Sequence, residues 1–477
     1  MGRDNHIEFI KRKYSKFKNS KIYVGMSGGV DSSTCSVILK KAGFQVYGFF
    51  LDCWDSNLKY CNADADYKDA VKVAAKFDIP LIKIDFKNEY RNMVLEPFIN
   101  GYKSGITPNP DVICNQTIKF GALIDLISKK DKNFVLSTGH YARNTLIDYT
   151  GIDKSFHTIS EAVDKTKDQS YFLYKIINNE CLDRIIFPLG DFTKIEVRKL
   201  ASELGIHVAK KPDSQGVCFI GDVNLRDFLG DFMKSNPGEV RNLHEEVLGQ
   251  HDGIHLYTVG QRHGFKVNKY IGNASYVVKK DVKNNILYIG TREEVLTKRL
   301  VLGDIISKLP VDDIVSRFNR SGDKDNLGGG KDGILDSKDN SENDLLSIKA
   351  DNECISGSFG ISGISGISGS SGISGTSGTS GTSGTSGTSA IRPKMDLTIK
   401  IRNVGEKVRI SRLKVIKDNR NDGISSNIKH KVKHDINKDL ILELETETDL
   451  FGVAPGQSGV IYWDDNIVFG GEFKALS

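Results

Sequence analysis

Between Lys21 and Thr138 short apolar runs alternate with longer amphipathic stretches, and this rhythm restricts the fold more than any other feature of the chain. Lys21 to Met26, Phe44 to Leu51, Leu81 to Phe86 and Phe134 to Thr138 read as buried strands. Asp31 to Ala42 reads as a helix, with Cys35, Ile38, Leu39 and Ala42 on one face and Gly43 as its stop. Strand, helix, strand repetition implies right-handed βαβ units, hence an α/β fold with an N-terminal doubly wound parallel sheet. After about Asp213 the text changes to short β-branched segments with Gly turns: Ile254 to Val259, Ala274 to Lys279, Ile286 to Ile289, Leu397 to Ile401 and Gly459 to Trp463. These predict a small central β domain and a C-terminal β-barrel. The expected domains are residues 1–213, 214–282 and 283–477.

Two polar segments interrupt the C-terminal part. Residues from about 312 to 393 begin with a run of Asp, Lys, Gly and Asn and continue as Ile-Ser-Gly and Thr-Ser-Gly triplets from Ile355 to Ser389. Such a tract buries too little apolar surface to offset its ordering entropy, which predicts a long disordered insert. Pro is missing from the triplets, so collagen is excluded. Lys417 to Lys438 carries His430 and His434 four apart, but lysine-rich neighbours oppose a metal and favour a solvated hairpin insert.

Lys and Arg number 66 against 61 Asp and Glu, an excess that permits a polyanionic partner without proving one. No stretch approaches the roughly 18 unbroken apolar residues of a membrane span. Met1 to Ser20 is basic but lacks an apolar core and includes Asp4 and Glu8, so it reads neither as a secretory signal nor as a transit peptide, and a cytoplasmic location is expected. Seven cysteines, an odd and sparse set, point to a reducing compartment in which an important cysteine is a reactive one.

Val24-Gly25-Met26-Ser27-Gly28-Gly29-Val30-Asp31-Ser32-Ser33 follows a predicted strand and opens a predicted helix. Glycines allow close approach of the backbone, successive N–H groups and the helix N-terminus face the ligand, and Ser27, Ser32 and Ser33 add hydroxyls, so an anion belongs here. The segment is neither a Walker A loop nor Gly-x-Gly-x-x-Gly. Asp31 is open to two readings, a helix N-cap or a group near Mg2+ and phosphates. Thr107-Pro108-Asn109-Pro110-Asp111-Val112-Ile113-Cys114 sets two prolines before a helical run, with Asp111 and Cys114 on one side of its first turn, where a helix N-terminus lowers a thiol pKa. A second thiol, Cys218, follows Lys210, Lys211 and the flexible Gly216, as suits a mobile sulfur carrier. Cys35, Cys53, Cys61 and Cys181 are assigned to packing and Cys354 to the insert; no paired thiols suit zinc, and no protein metal site is expected.

The loop resembles the Ser-Gly-Gly-x-Asp-Ser pyrophosphate loop of the PP-loop ATPases. Asn-Pro-Asp-x-x-Cys-Asn from Asn109 and Asp-Ser-x-Gly-x-Cys-Phe-Ile-Gly from Asp213 closely resemble the tRNA-specific 2-thiouridylases, as do the blocks at Thr138–Arg143, Lys167–Leu173, Gly260–Gly264 and Ala454–Gly459. The resemblance implies that ATP lies on Gly25, Met26, Ser27, Gly28, Gly29, Val30, Asp31 and Ser32, with its adenine edge met by Leu51 and Gly139. It places Asn109, Pro110 and Asp111 against a target uracil, and His140, Lys167, Asp168, Gln169, Arg402, Asn403 and Gln457 near the tRNA anticodon stem-loop. Asn403 stands where the family has Tyr, which removes a stacking ring. The implied chemistry is an O2-adenylate of the wobble uridine made with ATP and Mg2+. Cys218 then delivers sulfur as a persulfide loaded by a cysteine desulfurase or sulfur-relay protein. Cys114 acts as nucleophile and forms a disulfide with Cys218, and Asp111 serves as general base, N-cap or both.

Two rival enzymes share the loop: another PP-loop adenylating enzyme, which needs no cysteine pair, and a tRNA thiolase with an iron–sulfur cluster on Asp111, Cys114 and Cys218. A third reading is a non-catalytic tRNA-binding module that merely holds a nucleotide. Deletion of residues 355–389 is expected to leave turnover unchanged, measured as 2-thiouridine formed per enzyme, because the tract contributes no core.

Overall fold

The computed structural model describes residues 3–54, 63–148, 155–213, 224–268, 274–322, 395–403, 405–417 and 440–475. In chain order, its first strands are β1 (Lys21–Gly25), β2 (Gln45–Asp52), β3 (Leu81–Asp85) and β4 (Phe134–Ser137). A hairpin, β5 (Ala142–Asp148) and β6 (Ser155–Glu161), precedes the short β7 (Ile185–Ile186). Strands β3-β2-β1-β4-β7 lie side by side in one sheet, every pair parallel. Successive side chains point to opposite faces of a strand. Phe49, Phe134, Leu136 and Ile185 therefore enter one core, while Phe50, Val135 and Ile186 enter another on the opposite face. Both faces being covered explains why the central strands are apolar runs rather than alternating ones, whereas β3, expected to be buried, is an edge strand that leaves Ile82 48% exposed.

The strand order reverses beside β1, because β2 and β3 lie on one side of it and β4 and β7 on the other. In such sheets the crevice at the carboxyl ends of the two central strands is where ligands bind. The glycine-rich loop leaves the end of β1, and Thr138 to His140 leaves the end of β4.

A second sheet comprises β8 (Gly238–Arg241), β9 (Val247–His251), β10 (Lys266–Val267), β11 (Tyr276–Asp281) and β12 (Ile286–Gly290), in the order β10-β9-β8-β12-β11. The boundary expected at 282 falls inside the β11–β12 hairpin, and this sheet continues to Gly290. The strand expected over Ile254 to Val259 is instead one 3-10 turn at Ile254–Leu256. Adjacent residues Ile254 and His255 are both buried in this turn.

The C-terminal strands are β13 (Leu296–Ser307), β14 (Leu397–Lys400), β15 (Val408–Lys417), β16 (Leu440–Phe451), β17 (Ser458–Trp463) and β18 (Asn466–Phe473). They pair antiparallel in the order β13-β16-β15-β14-β17-β18, and β18 returns to β13, closing the barrel expected from the sequence. The β5–β6 hairpin joins this sheet through Ser160, opposite Asn466. The polar insert begins later than expected. Residues from 312 continue a helix, Val311–Gly322, whose Val311, Ile314 and Val315 are buried in the barrel core with Phe318 packed against it. That spacing is a helical stripe inside a polar text. Residues 323–394 and 418–439, which hold most of both expected inserts, lie outside the described residues.

Replacing Ile314, which has no exposed surface, by Ala should cost about 2–5 kcal/mol in urea unfolding. A loss under roughly 0.5 kcal/mol, the range of a surface substitution, would remove this helix from the core.

Candidate active site

Ser32 shapes the loop from within. Its hydroxyl accepts from the Ser27 N–H at 3.0 Å and lies 3.1 Å from the Ser27 hydroxyl. Gly28 adopts φ +75, and a Cβ there would lie 2.1 Å from the Asp66 carbonyl oxygen, so no other residue fits. Gly139 packs on the first turn of the Val30–Lys41 helix; a Cβ would come within 2.8 Å of the Ser32 nitrogen. The two crevice segments thus meet backbone to backbone. Leu51 is the penultimate residue of β2, at the carboxyl end of the sheet beside Asp52. Ser33 is fully buried inside the helix, with its hydroxyl left without a hydrogen-bond partner among the described residues.

Asp31 is not the cap. That position is Gly29, and the Asp31 carboxylate instead accepts from the Tyr141 hydroxyl at 2.9 Å and from Lys194 Nζ at 2.7 and 2.8 Å. Lys194 also reaches Asp213 at 2.8 Å, where Arg198 (2.6 Å) and Lys167 (2.9 Å) converge as well. Burial alone would raise the Asp213 carboxyl, but hydrogen bonds and charge from Lys194 and Lys167 outweigh it and hold it well below the usual carboxylate range. Lys211 does not simply make its surroundings electropositive. It is engaged with Asp66 (2.7 Å), Asp69 (2.8 Å) and the Gly28 carbonyl (3.2 Å).

A cavity of about 210 Å³ is walled on one side by Asn109, Pro110 and Asp111 and on the other by Arg402, Asn403 and Gln457, with Tyr171 and Phe172 between. Residues far apart in sequence meet because the loop is pinned from both sides. The Thr107 N–H donates to the Pro455 carbonyl at 2.8 Å, and the Thr107 hydroxyl lies 3.2 Å from that of Thr258. Tyr171 donates to the Ser458 carbonyl at 2.9 Å, and the Asn115 amide to the Phe172 carbonyl at 3.1 Å. Asn109, not Asp111, caps the helix, its side chain accepting from the Val112 N–H at 3.3 Å. Asp111 is left half-buried in the cavity wall. Arg402 spends one nitrogen on the Gly452 carbonyl at 2.9 Å, and Asn403 Oδ1 is buried with no hydrogen-bond partner.

Comparison with known proteins gives this architecture its place. A family model described as the tRNA methyl transferase HUP domain matches residues 20–222, and one described as the tRNA methyl transferase PRC-barrel domain matches residues 226–291. The tRNA-specific 2-thiouridylase MnmA of Limosilactobacillus reuteri is 42% identical over 310 residues, which cover 63% of this chain and 80% of that protein. Its counterpart in Pediococcus pentosaceus is 45% identical over 276 residues, 57% of this chain and 71% of that protein. The chain belongs to the tRNA-specific 2-thiouridylase family.

In this 2-thiouridylase the carried-over residues fall into three groups. Asn109, Pro110, Asp111, Arg402, Asn403 and Gln457 share the cavity. Lys167, Gln169 and His140 lie around the loop crevice. Lys167 binds Asp213, and Gln169 is bonded to the Tyr141 backbone, its Oε1 accepting from the N–H at 3.0 Å. His140 stands 2.7 Å from the Thr138 hydroxyl between Phe120 and Phe187, and burial, aided by nearby Lys119, pulls its pKa well down. Asp168 is a correction: it is 2% exposed, and its oxygens accept from Ala162 N, Ser170 N, the Ser170 hydroxyl and Lys400. Its place is in the fold, with no face left for RNA.

Cys114 has no exposed surface and lies in the core beside the parallel sheet, so the expectation of a thiol standing ready at a helix N-terminus is corrected to one that is covered. Cys35 and Cys53 are buried, and burial pushes the Cys35 thiol up to about 12, in line with packing roles; Cys181 is half-buried. Cys61, Cys218 and Cys354 lie outside the described residues. Sequence reasoning missed Lys194, Arg198 and Tyr141. A signal for the first existed: Thr193 and Glu196 form a capping box, which leaves Lys194 at the start of a helix, where the helix dipole disfavours a cation. Gly139→Ala should raise the KM for ATP by about tenfold or more, since overpacking a backbone contact costs ~1–3 kcal/mol; steady-state pyrophosphate release measures it, and an unchanged KM would separate Gly139 from the nucleotide site.

Proposed function

We infer that this chain forms 2-thiouridine in tRNA, an ATP-dependent sulfurtransferase reaction, and that its substrate is the wobble uridine of the anticodon stem-loop. The observation carrying this reading is the pairing of an anion loop at the switch point of a parallel sheet with a polar cavity walled by Asn109 to Asp111 and by barrel residues. A uracil C2 oxygen is a poor leaving group, so adenylation must precede sulfur transfer. Loop N–H groups from Gly28 to Val30 and the helix start would hold the phosphates, and Leu51 and Gly139 the adenine edge. Mg2+ is ordinarily held by one or two carboxylates together with substrate phosphates, and Asp31, with a lone pair on Oδ2 to spare beside the loop, fits that role. The cation would offset phosphate charge as pyrophosphate leaves.

The cavity supports a splayed base read on its edge by Asn109, Asp111 and Gln457, while Arg402 meets the anticodon backbone. Asp111 would take the proton lost during sulfur transfer. Cys218, charged as a persulfide by a cysteine desulfurase or relay protein, attacks C2 with its terminal sulfur and displaces AMP. Attack of the Cys114 thiolate on the Cys218 sulfur then frees the thiouridine and forms a Cys114–Cys218 disulfide, which a two-electron reductant reopens. The covered position of Cys114 supports its entering after the base is bound. The cytoplasm, which is reducing, suits this cycle.

Unmodified tRNA, ATP, Mg2+, cysteine and a cysteine desulfurase should yield 2-thiouridine at the wobble position by nucleoside mass spectrometry. Cys114→Ser and Cys218→Ser should each lose thiolation by about a thousandfold or more while keeping pyrophosphate release, as expected when a nucleophile is removed. Thiolation surviving in either variant would dismiss the persulfide route.

A further inference from the structure

The pyrophosphate loop and the chain leading to Cys218 share one cation. Lys194 Nζ binds both oxygens of Asp31, at 2.7 and 2.8 Å, and one oxygen of Asp213 at 2.8 Å. Asp31 belongs to the loop, and Asp213 stands five residues before Cys218. Lys194 is only 8% exposed, so water contributes little and its charge is divided between two carboxylates.

Its anchorage is rigid at the other end. The Lys194 N–H donates to Asp164 at 2.9 Å, the capping box of Thr193 and Glu196 fixes the helix start, and the ammonium lies 5.6 Å over the Tyr141 ring. A lysine in this first helical turn opposes the dipole of its own helix, so the helix gains nothing from it. Asp213 in turn is held by Arg198 and Lys167, and Asp31 by Tyr141.

We propose that Lys194 is a positioning residue that couples the nucleotide loop to Asp213, so that occupation of the loop changes how firmly the chain is held ahead of Cys218. This rests on the adenylation reading. A nucleotide with its divalent cation draws on the Asp31 carboxylate, which weakens the hold of Asp31 on the ammonium and strengthens that of Asp213. Linkage makes the effect reciprocal: a well-held Asp213 favours the nucleotide-bound loop.

The test uses the full chain, with Cys218 as reporter. The rate of Cys218 alkylation by iodoacetamide is followed by peptide mass spectrometry with and without α,β-methylene-ATP and Mg2+, and nucleotide affinity is measured separately by equilibrium dialysis. In wild type the nucleotide should slow alkylation several-fold. Lys194→Met should lose that response, and Lys194→Arg should keep part of it. Asp213→Asn, which leaves the loop's own contacts intact, should still bind nucleotide, weakened by no more than the same several-fold coupling factor, and should also lose the response. It decides the matter if Lys194→Met fails to fold or to bind. An equal response in wild type and Asp213→Asn, or none in a wild type that binds nucleotide, overturns the coupling. A wild type that binds no nucleotide overturns the adenylation reading instead.

Discussion

Two buried carboxylates set the geometry on which the rest depends. Asp168 and Glu161 are 2% and 3% exposed and are answered by Lys400, 3.1 and 3.6 Å away, with Lys165 and Lys407 each 2.9 Å from Glu161. Removing one partner from such a cluster leaves an uncompensated charge in a poor dielectric, at about 3–5 kcal/mol. The cluster joins the segment after β6 to the end of β14. Lys400 lies two residues before Arg402, and Asp168 one residue before Gln169, which is bonded to Tyr141. One set of ion pairs therefore fixes both the barrel wall of the cavity and the loop that positions Tyr141 on Asp31.

Much of this architecture was legible beforehand, and the reasons differ from place to place. Four of the five strands of the parallel sheet were visible as short apolar runs, the central ones because a strand covered on both faces is continuously apolar. The anion loop was visible because Gly28 and Gly139 make contacts that tolerate no Cβ, so the constraint is written as residue type. The Val311–Gly322 helix was hidden because only four of its 12 residues are apolar, and the stripe of Val311, Ile314, Val315 and Phe318 alone betrays it. The turn at Ile254 was misread because β-branched residues announce strand propensity whatever the tertiary contacts demand.

The cavity was legible only in halves. Asn109 to Asp111 stood out as a motif, and Arg402 and Gln457 as parts of distant blocks, yet no local pattern states that they meet; Thr107, Thr258 and Pro455 bring them together through long-range hydrogen bonds. Asp168 shows the opposite failure. A charged residue inside a recurring block invites a functional reading, whereas here its charge is consumed within the protein. Asp31 and Lys194 lie between these cases, since a charge pair separated by so many residues becomes visible only once the sheet is wound.

Closure of the barrel has a consequence for the low-complexity tract that the chain carries between the Val311–Gly322 helix and β14. Triplets of Ile-Ser-Gly and Thr-Ser-Gly are rich in β-branched side chains, and an unpaired strand edge is a template on which such a sequence can add. Because β18 returns to β13, the barrel offers no free edge between its first and last strands. The edge that remains in this sheet is the outer side of β5, part of a hairpin whose strand pairing with the barrel is the single residue pair Ser160–Asn466. Along that seam the barrel therefore presents no unpaired strand on which such triplets could add.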